Sequence, residues 1–374
     1  MKTIGIDITV LNDDRPTGIA VYVQELLRNL LEINRKDRFI LFGFSTLQTE
    51  RRLKNLEFRK YPNVEIKVFK MPAKFFRTIF KIWQKTEWPL IEYFTGRVDI
   101  YHSFNFYLPP QKIGKRIATI FDLTSILFPQ YHLRRISDLD KIRFDRIAKQ
   151  ADLVVAISRS AKEDFIRYYH TPRVEVVYPA AQGVFDKGID SVTVSRILKK
   201  YRLQPGYFLS VATLEPRKNL ETLIDAYDKN NFTEPLVLVG RIGWKTDRLL
   251  KRLNGRRNII FTDFVPKEDL VSLYKGALCF IYPSYYEGFG IPVLEAMKSE
   301  IPVICSDTSS FPEVGGNAVY YFNPNSKKEL IKALSEVESS RKLRAQLVKR
   351  GVEQAKKFNW QRSAEQLNSL YQKI

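Results

Sequence analysis

The residues best placed to do chemistry are Glu287 and Glu295, in the run Tyr282-Pro283-Ser284-Tyr285-Tyr286-Glu287-Gly288-Phe289-Gly290-Ile291-Pro292-Val293-Leu294-Glu295-Ala296-Met297. A strand pattern ends near Tyr282, and a glycine-containing loop then runs straight into a helix. Pro292 suits the first helical turn, where its missing N–H costs nothing. The unpaired N–H groups of a helix start form a site for a phosphate or a sugar hydroxyl. Gly288 and Gly290 let the main chain approach a ligand closely. Glu287 precedes the helix, at the carboxyl end of a strand, where open α/β sheets bind ligands. Glu295 lies about one turn inside, where a carboxylate can accept from two vicinal hydroxyls such as a ribose diol. Two glutamates in a Gly-Pro turn would alone be ordinary surface residues. Strand, glycines, proline and helix in one run favour a site.

A second group is Ala212-Thr213-Leu214-Glu215-Pro216-Arg217-Lys218-Asn219, directly after the strand pattern Phe208–Val211. Adjacent cations at a strand-to-helix turn suit a diphosphate, the lysine as a point charge and the arginine as a planar fork. In isolation such a pair is commonplace in solvent loops; its place in the same half of the chain as Glu287 gives it weight.

The elements that must hold these residues alternate along the whole chain. Short β-branched runs at Thr3–Ile8, Phe39–Phe42, Val64–Val68, Ile100–Ser103, Ile117–Ile120, Leu153–Ile157 and Val174–Val177 read as strands in the first half. Phe208–Val211, Leu236–Val239, Ile259–Phe261, Cys279–Tyr282, Val303–Cys305 and Val319–Phe322 do so in the second. Helical patterns between them predict α/β units with parallel sheets. Ser160-Ala161-Lys162-Glu163 resembles a capping box, and Leu220, Leu223, Ile224 and Tyr227 share a helical face after Asn219. The stretch Tyr178–Gly188 lacks apolar periodicity and divides the chain. The expected domains are 1–182, with a C-terminal helix at about 358–374, and 183–357.

A length of 374 residues fits two domains, and 44% hydrophobic with 27% charged residues fits a water-soluble globular chain. No apolar run reaches the ~20 residues that span a bilayer. The N-terminal stretch MKTIGIDITV is interrupted by Asp7 and reads as a strand rather than a signal peptide, so a cytoplasmic protein is expected. Cys279 and Cys305 sit in strand-like runs and are expected as buried thiols. His102, His132 and His170 are widely separated, which argues against a bound metal. The formal charge of +20 admits nucleic acid, an anionic membrane or anionic small substrates, and equally a merely solubilising surface. No helix-turn-helix, RNA-binding aromatic strand or zinc module supports a nucleic-acid partner.

The segment Glu287–Met297, the TLEPRKN turn, Val239-Gly240-Arg241 and ICSDTSSFPEVGG together resemble glycosyltransferase family 4. Looser matches continue upstream in Thr17–Tyr22, Tyr101–Asn105, Asp122-Leu123-Thr124 and around Ser158, so the likeness covers nearly the whole chain. The TLEPRKN form is similar to bacterial mannosyltransferase-like enzymes of surface-polysaccharide assembly. The resemblance implies a GT-B fold, two Rossmann-like doubly wound parallel-sheet domains facing a cleft, with the C-terminal helix crossing back to the first. It implies retaining transfer of a hexose from a nucleotide-diphosphate sugar, GDP-mannose favoured, to a glycan or lipid-linked acceptor, with no obligatory cofactor or metal. By the family pattern Glu287 contacts the donor sugar, Glu295 the ribose, and Arg217 with Lys218 the diphosphate. The amides around Phe289 and Gly290 touch sugar hydroxyls, Gly288, Leu294 and Arg241 complete the donor side, and Gly18 closes over the phosphates.

Two departures stand out. Many relatives carry an arginine where this chain has Ala212-Thr213, a role Arg217 can take. Many also have histidine before the aspartate of the first-domain motif, where this chain reads Phe121-Asp122. Asp122 is then the acceptor-side candidate and His102 a candidate for the displaced histidine, although a lone histidine after a strand is more often structural. The departure also opens a second reading, a nucleotide-sugar-binding protein without transferase activity. Finally, Lys74, Arg77, Lys81 and Lys85 share one helical face within 69–97 and Phe76, Ile79, Phe80 and Trp83 another. That pattern fits peripheral contact with an anionic membrane at its cytoplasmic face, or a core-packed helix; periodicity does not separate them.

Overall fold

The computed structural model describes all residues except 13–16, 46–52, 54–55, 71–77, 79–81, 83–85, 105–106 and 187. The chain forms two compact units, Met1–Pro179 with Asn359–Ile374, and Ala180–Phe358. Among the described residues thirteen strands make two sheets, one in each unit, and every pairing is parallel.

In the first unit the strands are β1 (Thr3–Asp7), β2 (Arg38–Ser45), β3 (Val64–Lys70), β4 (Ile100–Ser103), β5 (Lys115–Ile120), β6 (Leu153–Ala156) and β7 (Val174–Val176), in the order β3-β2-β1-β4-β5-β6-β7. The order reverses direction between β1 and β4, which places the loops after those two strands side by side. A 16-residue helix, Gly18–Ile33, follows β1; the Thr17 hydroxyl accepts the Ala20 N–H at its start. The C-terminal helix Trp360–Lys373 packs against it, capped by Asn359, and Tyr371 is fully buried. Lys2 Nζ donates to the Tyr371 carbonyl at 2.7 Å, fastening the end of the chain to its beginning, and Ser363 Oγ donates to the Tyr178 carbonyl at 2.6 Å, fastening the same helix to the close of the unit's first segment.

The helix after β6 runs Arg159–Tyr169, and its cap is Ser158, whose hydroxyl accepts the Ala161 N–H. The expected box at Ser160-Ala161-Lys162-Glu163 is therefore two residues late. Ser158 has the extended backbone a cap requires, at φ −155° and ψ 163°, whereas Ser160 is already inside the helix. The basic aromatic residues Lys74, Phe76, Arg77, Ile79, Phe80, Lys81, Trp83 and Lys85 lie outside the described residues. Among the described residues no helix is long and apolar enough to cross a membrane.

The second unit holds β8 (Tyr207–Val211), β9 (Leu236–Val239), β10 (Ile259–Phe261), β11 (Ala277–Tyr282), β12 (Val303–Ser306) and β13 (Tyr320–Phe322), ordered β10-β9-β8-β11-β12-β13. Its core joins Phe208, Leu238, Cys279, Ile281 and Ile304 of the sheet to Leu223, Ile224, Leu330 and Leu334 of the covering helices. Burying each large apolar side chain of this kind contributes about 1.5–3 kcal/mol. Cys279 and Cys305 are buried, unbridged thiols. Here the strand order reverses between β8 and β11, so the loops that follow them, Ala212–Asn219 and Pro283–Gly290, meet at one end of the sheet.

Candidate functional site

Three loops of the second unit, those after β8, β11 and β12, are tied together at that end. The Tyr285 N–H donates to the Arg217 carbonyl at 3.0 Å, joining the loop after β11 to the loop after β8. Asn219 has a left-handed backbone, and its side-chain amide donates to the carbonyls of Pro283 (3.1 Å) and Pro324 (3.0 Å). From the loop after β12, Ser309 Oγ accepts the Glu287 N–H at 3.0 Å. Ser310 Oγ donates to the carbonyls of Glu287 (3.0 Å) and Phe289 (2.7 Å). The backbone on both sides of Glu287 is thus fixed by tertiary hydrogen bonds.

The Glu287 side chain meets the cations of the neighbouring loop. Lys218 Nζ lies 2.6 Å and Arg217 Nη1 3.0 Å from Glu287 Oε1. Arg217 also pairs with Glu215 through Nη2 at 2.6 Å and donates to the Tyr286 carbonyl at 2.7 Å, while Lys218 donates to the Tyr282 hydroxyl at 3.0 Å. All four charged residues are largely buried. Burial pushes the Glu287 carboxyl up, but the Arg217 and Lys218 charges outweigh it and hold the group down at about 2. The Lys218 ammonium is lowered, first by burial and then by Arg217, with Glu287 and Glu215 opposing. Two carboxylates and two cations therefore form one compact cluster, with Arg217 and Lys218 already paired rather than waiting as bare charges.

The helix that follows, Ile291–Lys298, begins beside this cluster. Gly290 has φ 99° and ψ 48°, and a Cβ there would lie 3.1 Å from the Phe311 ring, so both conformation and space call for glycine. Gly288 and Phe289 are buried in the turn, and Leu294 is fully buried on the core side of the helix. Glu295 is only 1% exposed. Lys267 Nζ pairs with its Oε1, and the Tyr274 hydroxyl donates to its Oε2 at 3.1 Å. Neither Lys267 nor Tyr274 is visible as a partner in the sequence, because both come from the helix Lys267–Gly276.

Arg241 follows β9 through Gly240, whose φ is 144°. A Cβ at Gly240 would sit 1.9 Å from the Ala212 carbonyl oxygen, so the absence of a side chain lets the turn close on the loop after β8. The Arg241 carbonyl accepts the Leu214 N–H at 2.8 Å, and its guanidinium lies 4.9 Å from the centre of the Phe264 ring.

In the first unit, Asp122 follows β5 and is half-buried. Its Oδ1 accepts from both the Thr124 N–H (2.9 Å) and the Thr124 hydroxyl (2.5 Å), which fixes its direction. Phe121, 6% exposed, packs edge-on against Tyr22 at 5.4 Å. His102 is fully buried: Nδ1 is 2.6 Å from the Tyr371 hydroxyl, Nε2 is 2.8 Å from Thr119 Oγ1, and the ring stacks on Phe104 at 4.0 Å. Burial depresses it to about 3, so it is neutral at physiological pH. With both nitrogens engaged, His102 ties the C-terminal helix to the sheet. Gly18 is exposed at the first position of its helix, and among the described residues nothing lies within 4 Å of where its Cβ would be.

Comparison with known proteins places this arrangement. A family model described as "Glycosyltransferase Family 4" matches residues 16–181, and one described as "Glycosyl transferases group 1" matches residues 196–354. The chain is 33% identical over 305 residues to the O-antigen chain mannosyltransferase B of Escherichia coli, covering 77% of each sequence. It is 28% identical over 298 residues to the serotype-specific mannosyltransferase WbdA of Escherichia coli, covering 74% of this chain and 35% of that protein. Among solved structures, sucrose-phosphate synthase from Thermosynechococcus elongatus superposes with a TM-score of 0.77 at 18% identity, over 100% of this chain and 99% of that one. HepE of Anabaena, in complex with UDP and glucose, gives 0.74 at 15% identity over the whole of both chains. The shared fold is GT-B, an α/β fold of two parallel-sheet units.

Proposed function

We propose that this chain, which belongs to glycosyltransferase family 4, moves a hexose from a nucleotide-diphosphate sugar to a glycan or lipid-linked acceptor of a cell-surface polysaccharide. Mannose, carried by GDP, is the favoured donor group, supported by relatives named as an O-antigen chain mannosyltransferase and a serotype-specific mannosyltransferase. The observation that carries this reading is the ionised Glu287 held by Lys218 and Arg217 beside the Gly290 turn. A diphosphate arriving there meets two cations already desolvated and held by carboxylates, which lose little further solvation on binding it. As the anomeric C–O bond breaks, its electron pair passes to the diphosphate oxygen, and Arg217 and Lys218 stabilise the charge that develops. Glu287 remains anionic and faces the cationic sugar. The acceptor hydroxyl attacks from the side the diphosphate leaves, with retention and without a covalent enzyme intermediate, and its proton goes to the departing phosphate oxygen. No metal is required in this scheme, because the two cations take the charge. Glu295 binds the ribose; Leu294, Phe289, Gly288 and Arg241 complete the donor contacts through backbone and charge.

Asp122, oriented by Thr124, serves the acceptor in this reading, and His102 supports the fold from its buried position. We place the enzyme in the cytoplasm, peripheral to the inner face of the membrane that carries the acceptor. Calorimetry against GDP-, UDP-, ADP- and TDP-sugars tests the donor, with GDP-mannose expected to bind tightest; tighter binding of another sugar nucleotide replaces mannose or guanine. The second reading, binding without transfer, is favoured by the apolar Phe121, packed on Tyr22 where many relatives hold a histidine. It predicts donor binding with neither transfer nor slow donor hydrolysis.

A further inference from the structure

The carboxylate assigned above to the ribose is covered. Glu295 is 1% exposed, and its two oxygens are held by partners of different kinds. Tyr274, on Oε2, is itself fully buried, with its ring against Phe185 at 5.7 Å and Phe280 at 5.4 Å. That hydroxyl cannot withdraw without emptying a packed site. Lys267, on Oε1, is the first residue of its helix, and its side chain is 36% exposed. Its ammonium also lies 5.4 Å from the centre of the Phe185 ring. A flexible, partly hydrated lysine can leave its carboxylate for water and keep the ring face as an alternative seat.

We propose that Lys267 is a displaceable cap on Glu295: the donor ribose takes the place of the ammonium at Oε1, while Tyr274 keeps Oε2 in position. This rests on the reading that Glu295 receives the ribose. The cap makes Lys267 a specificity residue. A sugar with vicinal hydroxyls restores hydrogen bonds to the carboxylate when the ammonium departs. A sugar without them restores nothing, and binds only with the lysine still in place. Without the lysine, a ribose binds with no ion pair to break, whereas a dideoxyribose buries a carboxylate oxygen that has lost its partner. The preference for ribose should therefore rise when the cap is removed.

The test measures dissociation constants for GDP and 2′,3′-dideoxy-GDP, and for UDP and 2′,3′-dideoxy-UDP, on the full chain. Using the ratio within each pair cancels any effect of charge on the diphosphate. Lys267→Met keeps the stem and its contact with Phe185, and should raise the ribo-to-dideoxy preference about fivefold, in line with releasing a partly exposed ion pair. Lys267→Arg keeps a cation there and should leave the preference near the wild-type value. Glu295→Gln should erode it. If the wild-type preference and its loss in Glu295→Gln stand, but Lys267→Met leaves the ratio unchanged or lowers it, Lys267 is a support and not a cap. If the wild type does not prefer ribose with either base, the ribose reading of Glu295 fails, and the cap with it.

Discussion

Glu287 and Lys218, 69 residues apart in the chain, are joined by a buried ion pair of 2.6 Å across the two loops where the second sheet reverses its strand order. The pair couples stability to function, because the groups proposed to act on the donor also compensate one another's charge in its absence.

Removing one partner leaves the other buried and uncompensated. Lys218→Ala should cost about 3–5 kcal/mol, softened by the remaining Arg217, while pairing it with Glu287→Gln should cost clearly less than the sum of the single changes. Urea unfolding of the four proteins in the cycle measures this, and strict additivity would count against the pair. Lys218→Ala should also weaken nucleoside-diphosphate binding more than nucleoside binding; equal losses would remove its phosphate role.

The pH dependence of stability follows from the same contact. In the unfolded chain Glu287 titrates near about 4.3, whereas folded it is held down at about 2. Its contribution is complete above the unfolded value and is lost as pH falls through roughly 4 toward 2. Acid unfolding should therefore be less steep in Glu287→Gln across that window. An identical slope would show that the cations do not hold the carboxylate as described.

His102 gives a second acid window. Unfolded, it takes up a proton near about 6.5; folded, burial delays protonation to about 3, so stability declines as pH falls from the first value toward the second. His102→Gln should flatten that decline. Its turnover per folded molecule should change less than about tenfold, against the 10²–10⁴ typical of a lost acid–base group. A larger loss in turnover with unchanged stability would return His102 to the chemistry.

Two glycines should behave oppositely. Gly240→Ala drives a Cβ into the Ala212 carbonyl at a positive φ, and clash plus strain should cost about 2–5 kcal/mol. Gly18→Ala meets open space among the described residues and should leave thermal stability unchanged or slightly raised. Melting curves of both variants test the contrast.

Much of this fold is legible in the sequence because parallel strands buried on both faces are continuous apolar runs. All thirteen expected runs are strands, with errors confined to their ends. The expected second run ends at Phe42, yet pairing with β3 alone, from Gly43 opposite Val68 to Ser45 opposite Lys70, carries the strand to Ser45. Glu287, Arg217 and Lys218 are legible as neighbours once the loops after β8 and β11 are known to adjoin. Their supports are not. Ser309 and Ser310 act on Glu287 from the next loop, and Lys267 and Tyr274 reach Glu295 from a separate helix. No spacing rule links residues that meet only through tertiary packing. The same limit applies to His102, whose partner Tyr371 is 269 residues away.

The central claim is that Glu287 serves the breaking of a sugar–diphosphate bond. Its most direct test is release of nucleoside diphosphate from GDP-mannose, and from the UDP-, ADP- and TDP-sugars, by wild type and by folded Glu287→Ala. Circular dichroism and a thermal melt should first establish that the variant is folded. Release by the wild type and none by the variant is the predicted result. Equal release by both, or none by the wild type from any donor, would contradict it.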